Sequence, residues 1–384
     1  MKILAVNWHS GIEDASTYVG GYKRASKILA GLAKKGHRIC LVDAFPAIMQ
    51  PAVNCEVHEI PQVFSPIPEN FILRAIYAIA MMNNILFRTC QCISSFRPEI
   101  IYVPCGELGP ALYPAYVACL LYKLPLVVVP QTIIEWRSKE ASIHKLRKHI
   151  YRHARSVVVV NPAAVDPLIR SLEGRAHVEV GLNGVETTKY GVGGSLKERF
   201  ILFLGRVTRE KGYEDALFAY YTSKAWQANV KLKIAGHVHI SDKKRLEQLV
   251  RRYDLRNYVE ILGAVSDEEK FTLLCNALIY IAPSYIEHFG LALREALSIG
   301  TVCVVYDLPA FNDLNSHPCL HLVPLGDRKA LSDALAKCLR LDDKTRKELS
   351  IQCVMYRVGP TWEQAVEREE QILYGALAHE RQQT

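Results

Sequence analysis

Two segments of the chain carry residue types and spacings suited to holding a charged, hydroxyl-rich ligand. In FLGRVTREKG, Phe203 to Gly212, Arg206 and Lys211 stand five residues apart just after an apolar run. A planar guanidinium fork and a mobile ammonium together fit the two phosphates of a diphosphate. In PSYIEHFGLALREAL, Pro283 to Leu297, Glu287 and Glu295 are separated by seven residues. This spacing puts Glu287 in a loop and Glu295 on the second turn of a helix that begins near Phe289 or Gly290. The N–H groups of Phe289, Gly290 and Leu291 then lie in a first helical turn, where they have no intrahelical partner and can bind hydroxyl or phosphate oxygens. Gly290 permits close approach of the ligand.

Elements able to position these loops recur along the chain. Lys2–Trp8, His37–Val42, Ile100–Pro104, Leu126–Val129 and Val157–Val160 are short continuous apolar runs with helical segments between them. Such strands are buried on both faces of a parallel sheet. A second series runs through Phe200–Leu204, Lys231–Ala235, Val259–Leu262, Leu278–Ala282 and Val302–Val305. In one intervening helix Leu246, Leu249, Val250 and Tyr253 share a face. Gly184–Ser195, with Gly184, Gly191, Gly193 and Gly194, separates the two series as an inter-domain linker. The expected fold class is therefore α/β, with two Rossmann-like domains whose parallel sheets face each other across a cleft. Parallel sheets bind ligands beyond the carboxyl ends of their strands, so function belongs in the strand-to-helix loops.

Composition narrows the function. With 384 residues, 50% of them hydrophobic and 22% charged, the chain is too long for a lone binding module and too apolar for disorder. A net charge of +8 suits anionic small molecules or an anionic membrane surface. Aromatic residues do not interleave with the basic segments, so no nucleic-acid partner is expected. Eleven scattered cysteines without a Cys-x-x-Cys motif predict reduced thiols in a cytosol, and an N-terminus that turns polar within about ten residues lacks a secretory signal. Gly109 to Pro130, interrupted by Pro114, Lys123 and Pro125, reads as a helix followed by a strand rather than a membrane span. His149 and His153 have metal-pair spacing, but no carboxylate or Cys nearby completes a site. His237 and His239 follow a strand and read as exposed loop histidines.

Taken together, Gly20-Gly21, Asn183-Gly184-Val185, Gly205-Arg206 with Lys211-Gly212, Leu262-Gly263, Pro283-Ser284 through Glu295-Ala296, and Trp362-Glu363 resemble the retaining glycosyltransferases of family 4, which have the GT-B fold. Their order and spacing run over nearly the whole chain. The resemblance implies an acceptor-binding domain over 1–185, a nucleotide-sugar-binding domain over 186–361, and a helix at 362–384 crossing back to the first domain. It implies a hexosyltransferase-like enzyme that moves a sugar from a nucleoside-diphosphate sugar to a hydroxyl acceptor, with no cofactor. Arg206 and Lys211 would hold the diphosphate. Glu295 would hold the ribose hydroxyls, and Glu287 with the backbone of Phe289 to Leu291 the sugar. Gly20, Gly21, Gly205 and Gly263 would line the donor site. No metal is expected, because these cations occupy the role of Mg²⁺ and the chain lacks an Asp-x-Asp dyad. Retention is generally drawn as same-face attack, the leaving phosphate taking the acceptor's proton.

Two departures qualify this pattern. Gln131 stands where the family places a histidine near the sugar, and Gln cannot exchange a proton. Tyr306-Asp307-Leu308-Pro309 occupies a stretch often rich in glycine. A non-catalytic sugar-nucleotide sensor or partner subunit is therefore the alternative, followed by a GT-B epimerase. Finally, IHKLRKHIYRHAR at 143–155 is a basic helix whose apolar stripe is Ile143, Leu146 and Ile150. Peripheral glycosyltransferases meet anionic lipids through such first-domain surfaces, so a cytoplasmic protein peripheral to the inner face of the membrane is one expectation. A solvated outer face is the other.

Overall fold

The structure, a computed structural model, describes residues 1–7, 20–43, 54–59, 70–105, 111–130, 141–186, 199–353 and 355–381. Gln131 and most of the glycine-rich stretch after Val185 lie outside the described residues. The chain divides into two compact units, Met1–Gly184 with Trp362–Thr384, and Val185–Thr361.

In the first unit the strands are β1 (Lys2–Val6), β2 (Arg38–Asp43), β3 (Cys55–Glu59), β4 (Ile100–Val103), β5 (Leu126–Val128), β6 (Ser156–Val159) and β7 (Val178–Val180). They form one parallel sheet in the order β3-β2-β1-β4-β5-β6-β7. Helices α1 (Gly20–Lys34), α2 (Phe71–Phe96), α3 (Leu112–Tyr122), α4 (Ala141–His153) and α5 (Val165–Ser171) connect them. Alternate residues of each central strand enter opposite cores. Leu4 and Val6 pack with Met81, Ile85 and Ile150, whereas Ile3 and Ala5 pack with Ile28 and Leu32.

The second unit repeats the plan with β8 (Phe200–Leu204), β9 (Lys231–Ala235), β10 (Val259–Gly263), β11 (Ile279–Ala282), β12 (Val302–Tyr306) and β13 (Leu320–Val323), in the order β10-β9-β8-β11-β12-β13. Its helices are α6 (Tyr213–Thr222), α7 (Ile240–Arg252), α8 (Asp267–Asn276), α9 (Leu291–Ser298), α10 (Arg328–Leu339) and α11 (Asp343–Cys353). A reciprocal capping box between Ser266 and Glu269 starts α8. The final helix, α12 (Trp362–Arg381), returns to the first unit and packs against α1. A Cβ at Gly31 would stand 2.3 Å from Val366, so the two helices meet where a side chain is absent. Buried Arg24 and Tyr102 both bond the buried Glu369 carboxylate at 2.6 Å, closing this contact with an ionic clasp.

The α/β class and the central strands agree with the sequence reading. Strands β3, β7 and β13 were not anticipated, and each sits at a sheet edge. An edge strand lacks the two-sided burial that produces a continuous apolar run. Gly20 and Gly21, expected in a loop, are the first residues of α1.

Two further expectations are corrected. Cys319, just before β13, and Cys353, the last residue of α11, form a disulfide with Cα atoms 6.1 Å apart, so not every thiol is reduced. Both are buried, and their separation of 34 residues gave no spacing signal. On α4 the buried stripe is Arg147, Ile150 and Tyr151, while Leu146 is 42% exposed and Arg147 only 3%. The apolar face is thus rotated from the one expected, and Arg147 is not part of a solvated basic surface. No helix among the described residues is long and apolar enough to cross a membrane.

Candidate functional site

The order of the second sheet reverses between β8 and β11, so the loops that follow these neighbours leave toward opposite helix layers and open a crevice at their carboxyl ends. Both segments singled out by chemistry are those loops. After β8 the chain passes Gly205 and the exposed Arg206, then makes a short turn at Arg209–Lys211 into α6. Gly212 ends that turn with φ 74°, and a Cβ there would stand 1.9 Å from the Pro283 carbonyl oxygen. Only glycine allows the two loops to approach so closely.

After β11 the loop is fastened at several points. Tyr285 N–H donates to the Glu210 carbonyl at 2.8 Å, and the Tyr285 hydroxyl donates to Asp215 at 2.6 Å. Asp215, itself buried, also receives Tyr306 at 2.7 Å and pairs with Arg328. The carboxylate raises the pKa of both phenols; for Tyr285 the hydrogen bond to it is the main cause, and for Tyr306 burial comes first.

Within this frame Lys211 Nζ lies 2.7 Å from Glu287 Oε1, and each side chain is about four-fifths buried, at 19% and 18% exposure. Ser284 Oγ donates to the same Glu287 oxygen at 2.9 Å, and Lys211 reaches the Ile286 carbonyl at 3.4 Å. Of the three ammonium donors, the third has no partner among the described residues. Beside this pair is His288, which the sequence reading passed over although it lies inside the quoted segment. Burial lowers its pKa, Lys211 and Arg206 lower it further, and Glu287 opposes them, so the imidazole is neutral near pH 7. Arg206, Lys211 and Glu287 therefore share one electrostatic neighbourhood.

Gly290, with φ 71°, caps α9. A Cβ there would stand 2.5 Å from the Phe311 ring, so a side chain is excluded. The N–H groups of Phe289, Gly290 and Leu291 make no hydrogen bond within the described residues, and a first helical turn presents them to an incoming oxygen. Buried Arg294 sets the shape of this turn. Its guanidinium donates to the carbonyls of Phe289, Ala310 and Val358 and forks onto both Asp313 oxygens at 2.8 Å.

Glu295, on the second turn of α9, is 1% exposed and pairs with Lys270 of α8 at 2.9 Å and 3.0 Å. Glu287 and Glu295 both act on the buried Tyr280 phenol, whose pKa burial raises first and the two carboxylates raise further. Gly263 ends β10 with φ 75°, its carbonyl receiving Gly236 N–H at 2.6 Å. His237 pairs through its backbone with Val207, and the His239 ring caps α7 by accepting from Ser241 N–H, so these histidines serve the fold. Gly20 and Gly21 belong to the first unit, where the Gly21 carbonyl accepts from the Cys105 thiol at 3.7 Å.

Two units, each built on a parallel Rossmann-like sheet, are the architecture of the GT-B class. The chain is similar to sucrose-phosphate synthase from Thermosynechococcus elongatus, with a TM-score of 0.75 at 18% identity, covering 99% of this chain and 100% of that one. It is equally similar to Anabaena HepE in complex with UDP and glucose, with a TM-score of 0.75 at 17% identity over 97% and 99% of the two chains.

Among curated relatives, the phosphatidyl-myo-inositol mannosyltransferase of Mycobacterium leprae is 37% identical over 145 residues, a stretch spanning 37% of either chain. Glycogen synthase of Mycobacterium tuberculosis is 21% identical over 411 aligned residues, spanning 100% of this chain and 96% of that one. Two family models match in succession, Glycosyltransferase Family 4 over residues 20–189 and Glycosyl transferases group 1 over residues 188–352. The chain belongs to this glycosyltransferase family.

Proposed function

We propose that the protein transfers a sugar from a nucleoside-diphosphate sugar to a hydroxyl acceptor with retention of configuration and without a metal ion. The observation that carries this reading is the convergence of Arg206, Lys211 and the N-terminus of α9 beside Glu287 and Glu295. As the bond between the sugar C1 and the phosphate oxygen breaks, negative charge grows on the leaving diphosphate. Lys211, already held by Glu287, and Arg206 stabilise that charge more in the transition state than in the ground state. The acceptor oxygen bonds to C1 on the face the phosphate leaves, and the departing phosphate takes the acceptor's proton. Glu287, fixed by Ser284 and Lys211, orients the sugar hydroxyls, and Glu295 holds the ribose hydroxyls. The relatives named for mannosyl transfer and the HepE complexes with UDP-glucose support a nucleotide-linked hexose as donor.

A thermal-shift panel of UDP, GDP, ADP and their sugars identifies the base, because a site-specific ligand stabilises the state that binds it. Incubation with the labelled donor then tests turnover in the presence of a chelator. Slow hydrolysis or transfer supports the enzyme. Saturable binding with neither reaction identifies a sugar-nucleotide sensor, and conversion of the donor alone into its epimer identifies an epimerase.

Contact with an anionic membrane is a further part of this reading. The exposed Leu120 and Leu121 at the end of α3 lie one turn beyond Tyr116, which hydrogen-bonds His149 of the basic helix α4 at 3.0 Å. Sedimentation with anionic vesicles that is unchanged by Lys145→Gln with Lys148→Gln rejects it.

A further inference from the structure

The first unit holds a cluster of soft ligands that the donor-site reading does not use. Cys40 on β2, His58 on β3 and Cys92 on α2 offer two sulfurs and a ring nitrogen that all lie within 4.8 Å of one another. Sheet register accounts for the convergence. Cys40 pairs with Glu56 and Val42 with His58, so Cys40, Glu56 and His58 point to the same face, the one covered by α2. The two thiols lie inside an apolar core and are 0% and 1% exposed. His58 is the opening to solvent, its side chain 29% exposed, and its Nε2 is held by Glu56 Oε1 at 2.8 Å.

From this geometry we infer a site for a thiophilic divalent cation, zinc being the natural occupant, ligated by Cys40, Cys92 and His58. Two cysteines from a strand and a helix with a histidine from the neighbouring strand supply three of zinc's four tetrahedral ligands, and water completes the set. With Nε2 taken by Glu56, Nδ1 is the nitrogen left to ligate. A carboxylate on the far ring nitrogen is the partner that fixes the orientation and basicity of a metal-bound imidazole. Zinc–sulfur and zinc–nitrogen bonds of about 2.3 and 2.0 Å require ligand atoms roughly 3.3–3.8 Å apart. Zinc binding would draw ligand atoms that now lie within 4.8 Å of one another to that size. Binding releases one proton from each thiol to solvent and involves no change of oxidation state. The residues belong to three elements that share no short motif, so the site would lock the β3 edge to α2.

The test uses the reduced, full-length protein after chelation. Titration with Co²⁺ is expected to produce a charge-transfer band of two-thiolate intensity at one equivalent, and Zn²⁺ is expected to displace it. His58→Gln and Glu56→Gln, both at the solvent side of the sheet edge, should preserve the fold by circular dichroism. The first should weaken binding at least about tenfold, and the second by about 10- to 100-fold. Absence of the band in the reduced wild-type protein overturns the site, as does binding unchanged in His58→Gln. Recovery of Cys40 and Cys92 as a disulfide that takes up no metal after reduction overturns it as well. None of these results bears on sugar transfer, so the donor site and this one stand or fall separately.

Discussion

Lys211 and Glu287 form a 2.7 Å ion pair across two loops that leave adjacent strands of the second sheet. The pair fixes the ammonium in place and leaves one N–H that, in the proposed reaction, a diphosphate would engage. Preset charge costs little reorganisation when the leaving group departs. Lys211→Ala and Arg206→Ala are each expected to lower transfer by at least about a hundredfold, the scale for losing one charged stabiliser. Steady-state rates with the identified donor measure this, and near-normal turnover in both variants rejects the assignment.

The same loops meet at Gly212, where the close approach to Pro283 leaves no space for a methyl group. Gly212→Ala should destabilise the second unit by about 1–3 kcal/mol through its positive φ and the forced separation of the loops. It should also weaken nucleoside-diphosphate binding. Urea midpoints and calorimetric titration check both, and an unshifted midpoint contradicts the packing described.

The clasp on α12 predicts a particular pattern of coupling. Glu369→Ala leaves the Arg24 guanidinium buried without its counter-charge, a change that costs about 3–5 kcal/mol. Replacing both residues, with Arg24→Met and Glu369→Leu, should cost less than Glu369→Ala alone, because no uncompensated charge remains. Equilibrium unfolding of the three variants decides the matter. A double variant less stable than the single one would mean that the ion pair itself contributes net stability.

Buried His317 makes stability depend on pH. Burial lowers its pKa from 6.5 to about 4, against the weaker pull of the Cys353 backbone, which raises it. Below the unfolded value the denatured chain takes up a proton that the folded chain refuses. Stability is therefore retained above pH 6.5 and falls as the pH drops from 6.5 to about 4. The total loss from this group is roughly 3 kcal/mol. Denaturant melts across that window should show the slope, and His317→Gln should flatten it.

The composition of single segments carried much of this protein. Both-face burial writes continuous apolar runs into β1, β4, β5, β8, β11 and β12, so the alternation of strand and helix was legible without coordinates. The cations after β8 and the carboxylates after β11 were legible for the same reason. A strand ending in a charged loop is a local pattern, and the open parallel sheet says where such loops gather.

Partners were not legible. That Lys211 meets Glu287, that Lys270 neutralises Glu295, and that Asp215 moors the loop through Tyr285 depends on which strands are neighbours and in what register. The edge strands, the Cys319–Cys353 bridge and the Cys40–His58–Cys92 cluster depend on the same thing. Side chains tens of residues apart converge only when a sheet assembles and its helices dock, and one-dimensional spacing contains no measure of that distance.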